Sequence, residues 1–236
     1  VSPHAPYTVS EELFRRVVRY ARADGLAMAV HVAESHAEVE FLTANRGAFA
    51  DAWRSRGIPR GATARSPVAW LDGLGVLGDQ LLAIHVVQTD AADTALLQRA
   101  GCAVALCPRS NQRHGHGPPP VVRYLEAGLR IGLGTDSVAS VDSLDILAEA
   151  RAAADLAPLS PEVLLDMLTL GGARAVGLDR EIGSLEPGKR GDLCVVRVGR
   201  SESAAPHQAA AAVLRSGPER IAATYVAGRC VHGGPA

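Results

Sequence analysis

Three apolar runs in the first 140 residues each end near a histidine or a carboxylate. Residues 26–34 read Leu-Ala-Met-Ala-Val-His-Val-Ala-Glu, residues 81–85 read Leu-Leu-Ala-Ile-His, and residues 130–136 read Arg-Ile-Gly-Leu-Gly-Thr-Asp. Continuous apolar runs of this length are typical of buried strands in a parallel sheet. Active sites of (β/α)8 barrels lie at the carboxyl ends of such strands. The pattern therefore predicts a catalytic site built from these end residues.

Helical periodicity alternates with the apolar runs. Helices are predicted over roughly 10–24, 37–53, 91–100, 119–127 and 143–156, and strands over 26–32, 81–87, 102–107 and 130–135. The first helix is expected to open with a capping box at Thr8 to Glu11. A Gly-, Pro- and Arg-rich loop from 57 to 67 is either a lid or a surface excursion. This alternation indicates an α/β fold with a parallel sheet.

The four predicted strands are half of the eight that close a barrel. A half barrel has two open sheet edges, which is costly for a folded domain. We therefore expect the chain to be the C-terminal part of a longer protein. Otherwise a partner, such as a second copy in a homo-oligomer, must replace the missing N-terminal half of the barrel.

The pattern changes beyond residue 160. Ser160 and Pro161 open a further helix, and a short helix follows over 172–178. From residue 182 the tail has short strand-like runs separated by turn residues, and the Ala-rich stretch 203–213 is a loop or a short helix. We predict a partial barrel over 1–180 and the C-terminal part of a small β-sandwich over 181–236.

Composition excludes several classes of partner. Lys and Arg number 24 against 25 Asp and Glu, with a net charge of −1 and no basic stripe with interleaved aromatic residues, so a nucleic-acid polymer is not expected. No apolar run approaches the ~18 residues of a membrane span. The four cysteines form no C-x-x-C pair, which disfavours a thiolate site and favours a reducing, cytoplasmic compartment. A small-molecule substrate remains the expected partner.

The residues at the strand ends permit metal-assisted hydrolysis. His31 and Asp136 are ligand types that Zn²⁺, Fe²⁺ and Mn²⁺ accept. A metal lowers the pKa of its water from ~15.7 towards ~7, Glu34 can carry the proton, and His85 can orient the hydroxide. Taken singly, a strand-end histidine is often structural, and Asp136 could cap a helix. Their joint placement at three strand ends favours a catalytic site.

These motifs resemble the amidohydrolase superfamily over nearly the whole chain and in the right order. Within it, the chain is similar to aminohydrolases that deaminate purine-type bases and triazines. The matching stretches are Ser-Pro-His-Ala-Pro-Tyr-Thr at 2–8, His-Val-Ala-Glu at 31–34, Ile-His at 84–85, Cys-Pro-Arg-Ser-Asn at 107–111, Leu-Gly-Thr-Asp-Ser at 133–137, Gly-Ser-Leu-Glu-Pro-Gly-Lys at 183–189 and Tyr-Val-Ala-Gly at 225–228.

The resemblance implies a role for each catalytic residue. His31 and Asp136 would hold one divalent metal, Zn²⁺ in the first place, with Fe²⁺ or Mn²⁺ as alternatives. Glu34 would protonate the ring nitrogen, His85 would contact the attacking hydroxide, and Asp136 would also help to deprotonate the water. His4 would bind substrate.

The family carries a His-x-His pair on its first strand, and none of the strands predicted in this chain carries such a pair. Such a pair occurs at His114 and His116, in a loop followed by Gly117 and three prolines, and we interpret it as a polar surface loop. The metal site is therefore at best half present in these residues. We expect the chain alone to bind metal weakly and not to deaminate. The DNA upstream of Val1 would show whether an N-terminal half with His-x-His precedes it.

The local sequences around 2–4, 107–111 and 134–140 are most similar to the 6-aminodeoxyfutalosine deaminases of menaquinone biosynthesis. That substrate carries a benzoate, which Arg109 could pair in bidentate fashion, although a surface ion pair explains this arginine equally well. Ser137 is a further substrate-binding candidate. Two alternatives stay open: a related hydrolase acting on another C–N or C–Cl bond, as in triazines, or an inactive fragment that serves as a binding module.

Overall fold

The computed structural model describes residues 1–59, 61–199 and 205–234. They divide into two compact units. The first contains residues 1–106 and 111–130, and the second contains residues 107–110 together with the described residues from 131 onward. Among the described residues, no helix has both the length and the apolar character needed to cross a bilayer.

A parallel sheet runs through the first unit. Its strands β1 (Met28–Val32), β2 (Leu81–His85) and β3 (Ala103–Leu106) are neighbours in that order. The register aligns Val32 with His85, so β1 and β2 end side by side. Buried apolar side chains at Val30, Ala83 and Val104 explain why these runs form strands. The predicted α/β class is confirmed.

Helices connect the strands of this unit. They are α1 (Glu11–Ala23), α2 (His36–Ala44), α3 (Ala48–Ser55), α4 (Pro67–Gly73), α5 (Ala91–Arg99), α6 (Pro108–Arg113), whose first residues belong to the second unit, and α7 (Val121–Glu126). The predicted capping box at Thr8 is wrong, because Ser10 caps α1 and its side chain accepts from the Leu13 amide. The single helix predicted over 37–53 is also wrong. Left-handed backbone at Asn45 and Gly47 ends α2 and separates it from α3.

The second unit holds β4 (Arg130–Leu133) from its second residue onward and a cluster of helices. Ala150, Ala153, Leu164 and Leu214 form its apolar core. The helices are α8 (Ile146–Leu156), α9 (Pro161–Leu168), α10 (Leu170–Ala175) and α11 (Pro206–Arg215). The Ala-rich stretch is thus helical from residue 206, while residues 203 and 204 lie outside the described residues.

The short strands predicted in the tail are present. β5 (Leu193–Val196), β6 (Ile221–Val226) and β7 (Arg229–Gly233) form an antiparallel sheet in that order. Small and β-branched residues separated by turns at positive-φ glycines such as Gly228 account for this arrangement. The proposed domain boundary at 180/181 stays a prediction.

Candidate active site

The ends of β1 and β2 have an unusual backbone. Ala33, His85 and Val86 are not glycine, yet their φ angles are 53°, 72° and 44°. Left-handed backbone at such residues is costly and persists where the surroundings fix it, often at functional sites. Here it turns the chain sharply after each strand. Two of the residues predicted to be catalytic, Glu34 and His85, lie at these turns.

His31 lies on β1 with one ring nitrogen held by the main chain. Its Nδ1 is 3.1 Å from the carbonyl oxygen of His4. A carbonyl only accepts hydrogen bonds, so in the neutral ring Nδ1 carries the hydrogen and Nε2 presents a lone pair. A second main-chain bond, from the His31 amide to the same oxygen at 2.9 Å, fixes the two residues together. In this tautomer the lone pair of Nε2 is available to a metal ion.

His85 is buried, with 1% of its side chain exposed. Its Nδ1 donates to Oδ1 of Asn111 at 2.9 Å, which orients the ring. Its Nε2 lies 3.7 Å from Oε1 of Glu34. The rings of His31 and His85 are 5.4 Å apart between centroids. The structure thus brings together three of the predicted site residues within the first unit.

The Glu34 carboxylate has polar groups facing both of its oxygens. The Tyr7 hydroxyl donates to Oε2 at 3.4 Å, while His85 and His116 both approach Oε1, the latter with Nε2 at 3.4 Å. The carboxylate is 14% exposed. A half-buried carboxylate between a phenol and two imidazoles can exchange protons with a group placed beside it.

The surface-loop interpretation of the His-x-His pair fits His114, which is exposed, but is wrong for His116. The main chain of His116 is held on both sides, since its amide donates to the Asn111 carbonyl and its carbonyl accepts from Gln88 Nε2 at 2.6 Å. These bonds direct its ring towards Glu34. The contact between His116 and Glu34 joins residues 82 positions apart and depends on Gln88, which is 28 positions from His116. No local sequence pattern reveals contacts of that range.

Tyr7 is a second residue that the residue-level reasoning missed. Its ring stacks on Phe49 with centroids 4.2 Å apart, and Trp53 Nε1 donates to its carbonyl oxygen at 2.7 Å. The available signal was its position in the Ser-Pro-His-Ala-Pro-Tyr-Thr motif. His4, the predicted substrate-binding residue of that motif, is exposed and lies 5.0 Å from His31 between ring centroids.

Glu38 lies on α2 directly behind Glu34. Its carboxyl is fully buried and accepts from the amides of Ala33 and Glu34, both at 2.9 Å. Burial raises its pKa from 4.5 to about 8, because desolvation of the charged form outweighs these hydrogen bonds. The negative charge of Glu34 acts in the same direction as burial.

This pKa predicts that stability falls as the pH rises from about 5 to about 8. In that interval the folded chain keeps on Glu38 a proton that the unfolded chain releases near pH 4.5. One such group changes the free energy of unfolding by at most about 1.4 kcal/mol per pH unit. Urea unfolding of the complete gene product at several pH values should show a shallower fall in Glu38→Gln. Glu40→Gln, which alters an exposed glutamate of the same helix, should keep the wild-type slope, and an unchanged slope in Glu38→Gln would contradict the prediction.

In the second unit, Asp136 follows β4 with a φ of 60°. Its Oδ2 accepts from the buried Ser110 hydroxyl at 2.7 Å, which fixes the carboxylate. Ser137, the next residue, is exposed, and its hydroxyl accepts from the Ala139 amide at 3.2 Å. Its assignment to substrate binding stays a prediction.

Arg109 is engaged by residues of its own unit. Its guanidinium donates to Asp142 at 2.5 Å and to the carbonyl of Ser143 at 3.1 Å, and its amide donates to the buried Glu149 at 3.0 Å. Burial raises the pKa of the Glu149 carboxyl. These contacts favour the ion-pair interpretation of Arg109, since a substrate carboxylate would have to displace Asp142.

A comparison of the sequence with models of protein families shows which family the chain belongs to. The model of the amidohydrolase family matches residues 1–231. The chain belongs to the amidohydrolase family. The motifs at 31–34, 84–85 and 133–137, which first indicated that resemblance, all lie within the matched residues.

Relatives in the amidohydrolase family include two kinds of deaminase. The 5-methylthioadenosine/S-adenosylhomocysteine deaminase of Desulforudis audaxviator is 35% identical over 215 residues, covering 88% of this chain and 46% of the relative. The aminodeoxyfutalosine deaminase of Deinococcus radiodurans is 37% identical over 187 residues, covering 75% and 45%. The chain spans about half the length of these curated relatives.

Among solved amidohydrolases, an adenosine deaminase from Xanthomonas campestris with bound zinc superimposes with a TM-score of 0.82 at 32% identity. The match covers 97% of this chain and 50% of that one. The fold described above is therefore that of about half of an amidohydrolase barrel, in agreement with the predicted architecture.

Proposed function

We propose that the protein carrying this chain hydrolytically deaminates an amino group on a purine-type base. The observation that carries the proposal is the Glu34 carboxylate, set between Tyr7, His85 and His116 at the ends of β1 and β2. Hydrolytic deamination needs a group that takes a proton from water and delivers it to the base. A carboxylate with protic neighbours on both oxygens suits that task.

In the proposed reaction a C–O bond forms at the carbon that bears the amino group, and its C–N bond breaks. Glu34 takes one proton from the attacking water and delivers it to the adjacent ring nitrogen. The second proton of the water leaves with the amino group as ammonia, so the carboxylate is restored. His85, with its ring fixed by Asn111, orients the water, and Asp136 helps to deprotonate it.

A divalent metal is part of the proposal, with His31 and Asp136 as ligands. His31 offers an imidazole nitrogen and Asp136 a carboxylate oxygen, donors that Zn²⁺, Fe²⁺ and Mn²⁺ accept. The His31 ring fits this role, because its Nδ1 donates to a backbone carbonyl as metal-binding histidines commonly do. When bound, the metal supplies Lewis acidity that lowers the pKa of water. The relative with bound zinc supports Zn²⁺.

For the substrate we propose 6-aminodeoxyfutalosine. Support comes from the 37% identity to the Deinococcus radiodurans aminodeoxyfutalosine deaminase. Arg109 adds no support, since Asp142 already pairs with its guanidinium. Relatives that are 5-methylthioadenosine/S-adenosylhomocysteine deaminases reach 38% identity, which makes those two compounds the second candidates.

Steady-state assays of the complete gene product test this assignment. We expect 6-aminodeoxyfutalosine to give the highest kcat/KM in a panel that also contains adenosine, 5-methylthioadenosine, S-adenosylhomocysteine and a chlorotriazine. Ammonia release coupled to glutamate dehydrogenase measures every amino substrate on one scale, and chloride release measures the triazine. A higher kcat/KM for any other purine nucleoside would overturn the substrate but keep the reaction, whereas turnover of the triazine alone would overturn both.

A further inference from the structure

The segment that joins β1 to α2 places Glu34 by means of two main-chain hydrogen bonds. β1 ends at Val32, Ala33 turns with a φ of 53°, and α2 begins after Ser35. The amides of Ala33 and Glu34 point away from the sheet ladder, and each donates to a different oxygen of the Glu38 carboxyl at 2.9 Å. One side chain thus holds both peptide groups that flank the turn.

This arrangement goes beyond ordinary helix capping. Ser35 is the N-cap of α2 and accepts from the Glu38 amide at 3.3 Å. In a capping box the acidic residue returns the bond to the amide of the N-cap itself. Here the Glu38 carboxyl also has a backbone hydrogen bond with the N-cap Ser35, and beyond it reaches the amides of the two residues before the cap. A helix start needs no such bonds, so their consequence is the placement of Glu34.

We propose that Glu38 is the positioning residue of Glu34, and that its carboxyl holds the turn at Ala33 so that the Glu34 side chain stays between Tyr7 and His85. Glu38 is 0% exposed and its carboxyl accepts from the amides of Ala33 and Glu34, so it acts through the main chain. The catalytic consequence rests on the proposed function. Displacement of a reacting group by about 1 Å can lower a rate by about 10²-fold.

The test compares Glu38→Gln with two control variants in the complete gene product. An amide has one accepting oxygen, so glutamine can satisfy one of the two main-chain amides while its NH2 group opposes the other. Ser35→Ala removes the helix cap but keeps the carboxyl, and therefore reports the effect of a weakened helix start. Glu40→Gln makes the same chemical change on the exposed side of α2.

Hydrogen exchange, resolved by mass spectrometry of peptides covering 28–38, gives a readout that needs no activity. We expect the amides of Ala33 and Glu34 to exchange at least about tenfold faster in Glu38→Gln than in the wild type, and at the wild-type rate in Glu40→Gln. In Ser35→Ala the faster exchange should be confined to the first turn of α2. Unchanged exchange at Ala33 and Glu34 in Glu38→Gln would overturn the proposal.

Kinetics supply the second readout. We expect Glu38→Gln to lower kcat by about 10²-fold with KM nearly unchanged, and Ser35→Ala to leave kcat within twofold of the wild type. Faster exchange with an unchanged kcat would overturn the positioning role. If the complete gene product deaminates none of the compounds, the proposed function fails. In that case the exchange rates still decide whether Glu38 positions Glu34. A crystal structure of Glu38→Gln, which shows whether the Glu34 carboxylate has left Tyr7 and His85, adds to that decision.

Discussion

Glu34→Gln in the complete gene product is expected to lower kcat for deamination by about 10²–10⁴-fold, the range that general acid–base catalysis contributes. Glutamine keeps the size of the side chain and can still contact Tyr7 and His116. It cannot take up and return a proton at neutral pH. The loss should therefore fall on kcat, and KM should change little because the shape of the site is preserved.

Two further measurements separate this effect from misfolding. Metal content should equal that of the wild type, since Glu34 is not a proposed ligand, and the melting temperature should not fall. Glu40→Gln, the same substitution on the exposed face of α2, should leave kcat unchanged. If Glu34→Gln retained more than a tenth of the wild-type kcat, another group would have to carry the proton.

The strand ends were predictable because an apolar run that stops on a polar residue is typical of a buried strand that reaches the edge of the core. β1 and β2 were located from sequence to within two residues at each end, and both end at a predicted site residue or one residue beyond it. The parallel register then places His31 and His85 at one end of the sheet. That step follows from strand geometry and needs no long-range information.

The residues that face Glu34 were harder to predict. His116 reaches it through a loop fixed by Gln88, and Tyr7 through stacking on Phe49, contacts that only the folded chain creates. The break between α2 and α3 was missed for another reason. Asn45 and Gly47 are standard helix-ending residues, but the helix resumes at Ala48, so the stretch on both sides of them is helical.

The position of Glu38 shows how a buried carboxyl group can be hidden in a sequence. On helical periodicity alone it counts as a polar residue of α2 that should face water. The structure buries it completely because two main-chain amides outside any ladder need an acceptor. A polar residue three or four positions after a catalytic one, at a helix start, is therefore a candidate for this kind of support.

His31→Gln is expected to lower the affinity of the complete gene product for Zn²⁺ by at least about 100-fold. Loss of an outer-shell partner alone costs 10–100-fold, and this substitution removes a proposed ligand as well as its bond to the His4 carbonyl. Deamination should fall below detection at wild-type metal concentrations. Competition with a zinc-binding dye gives the affinity, and elemental analysis after dialysis gives the metal content per chain.

The matched control is His207→Gln, which removes an exposed imidazole from α11 and should change neither zinc affinity nor kcat. Glu34→Gln should keep the metal while losing activity, so the two substitutions divide the site into a metal-holding part and a proton-carrying part. Addition of excess Zn²⁺ should restore part of the activity of His31→Gln and none of that of Glu34→Gln, because only the first defect is one of occupancy. Wild-type zinc affinity in His31→Gln would exclude this histidine as a ligand and would leave its bond to the His4 carbonyl with a purely structural role.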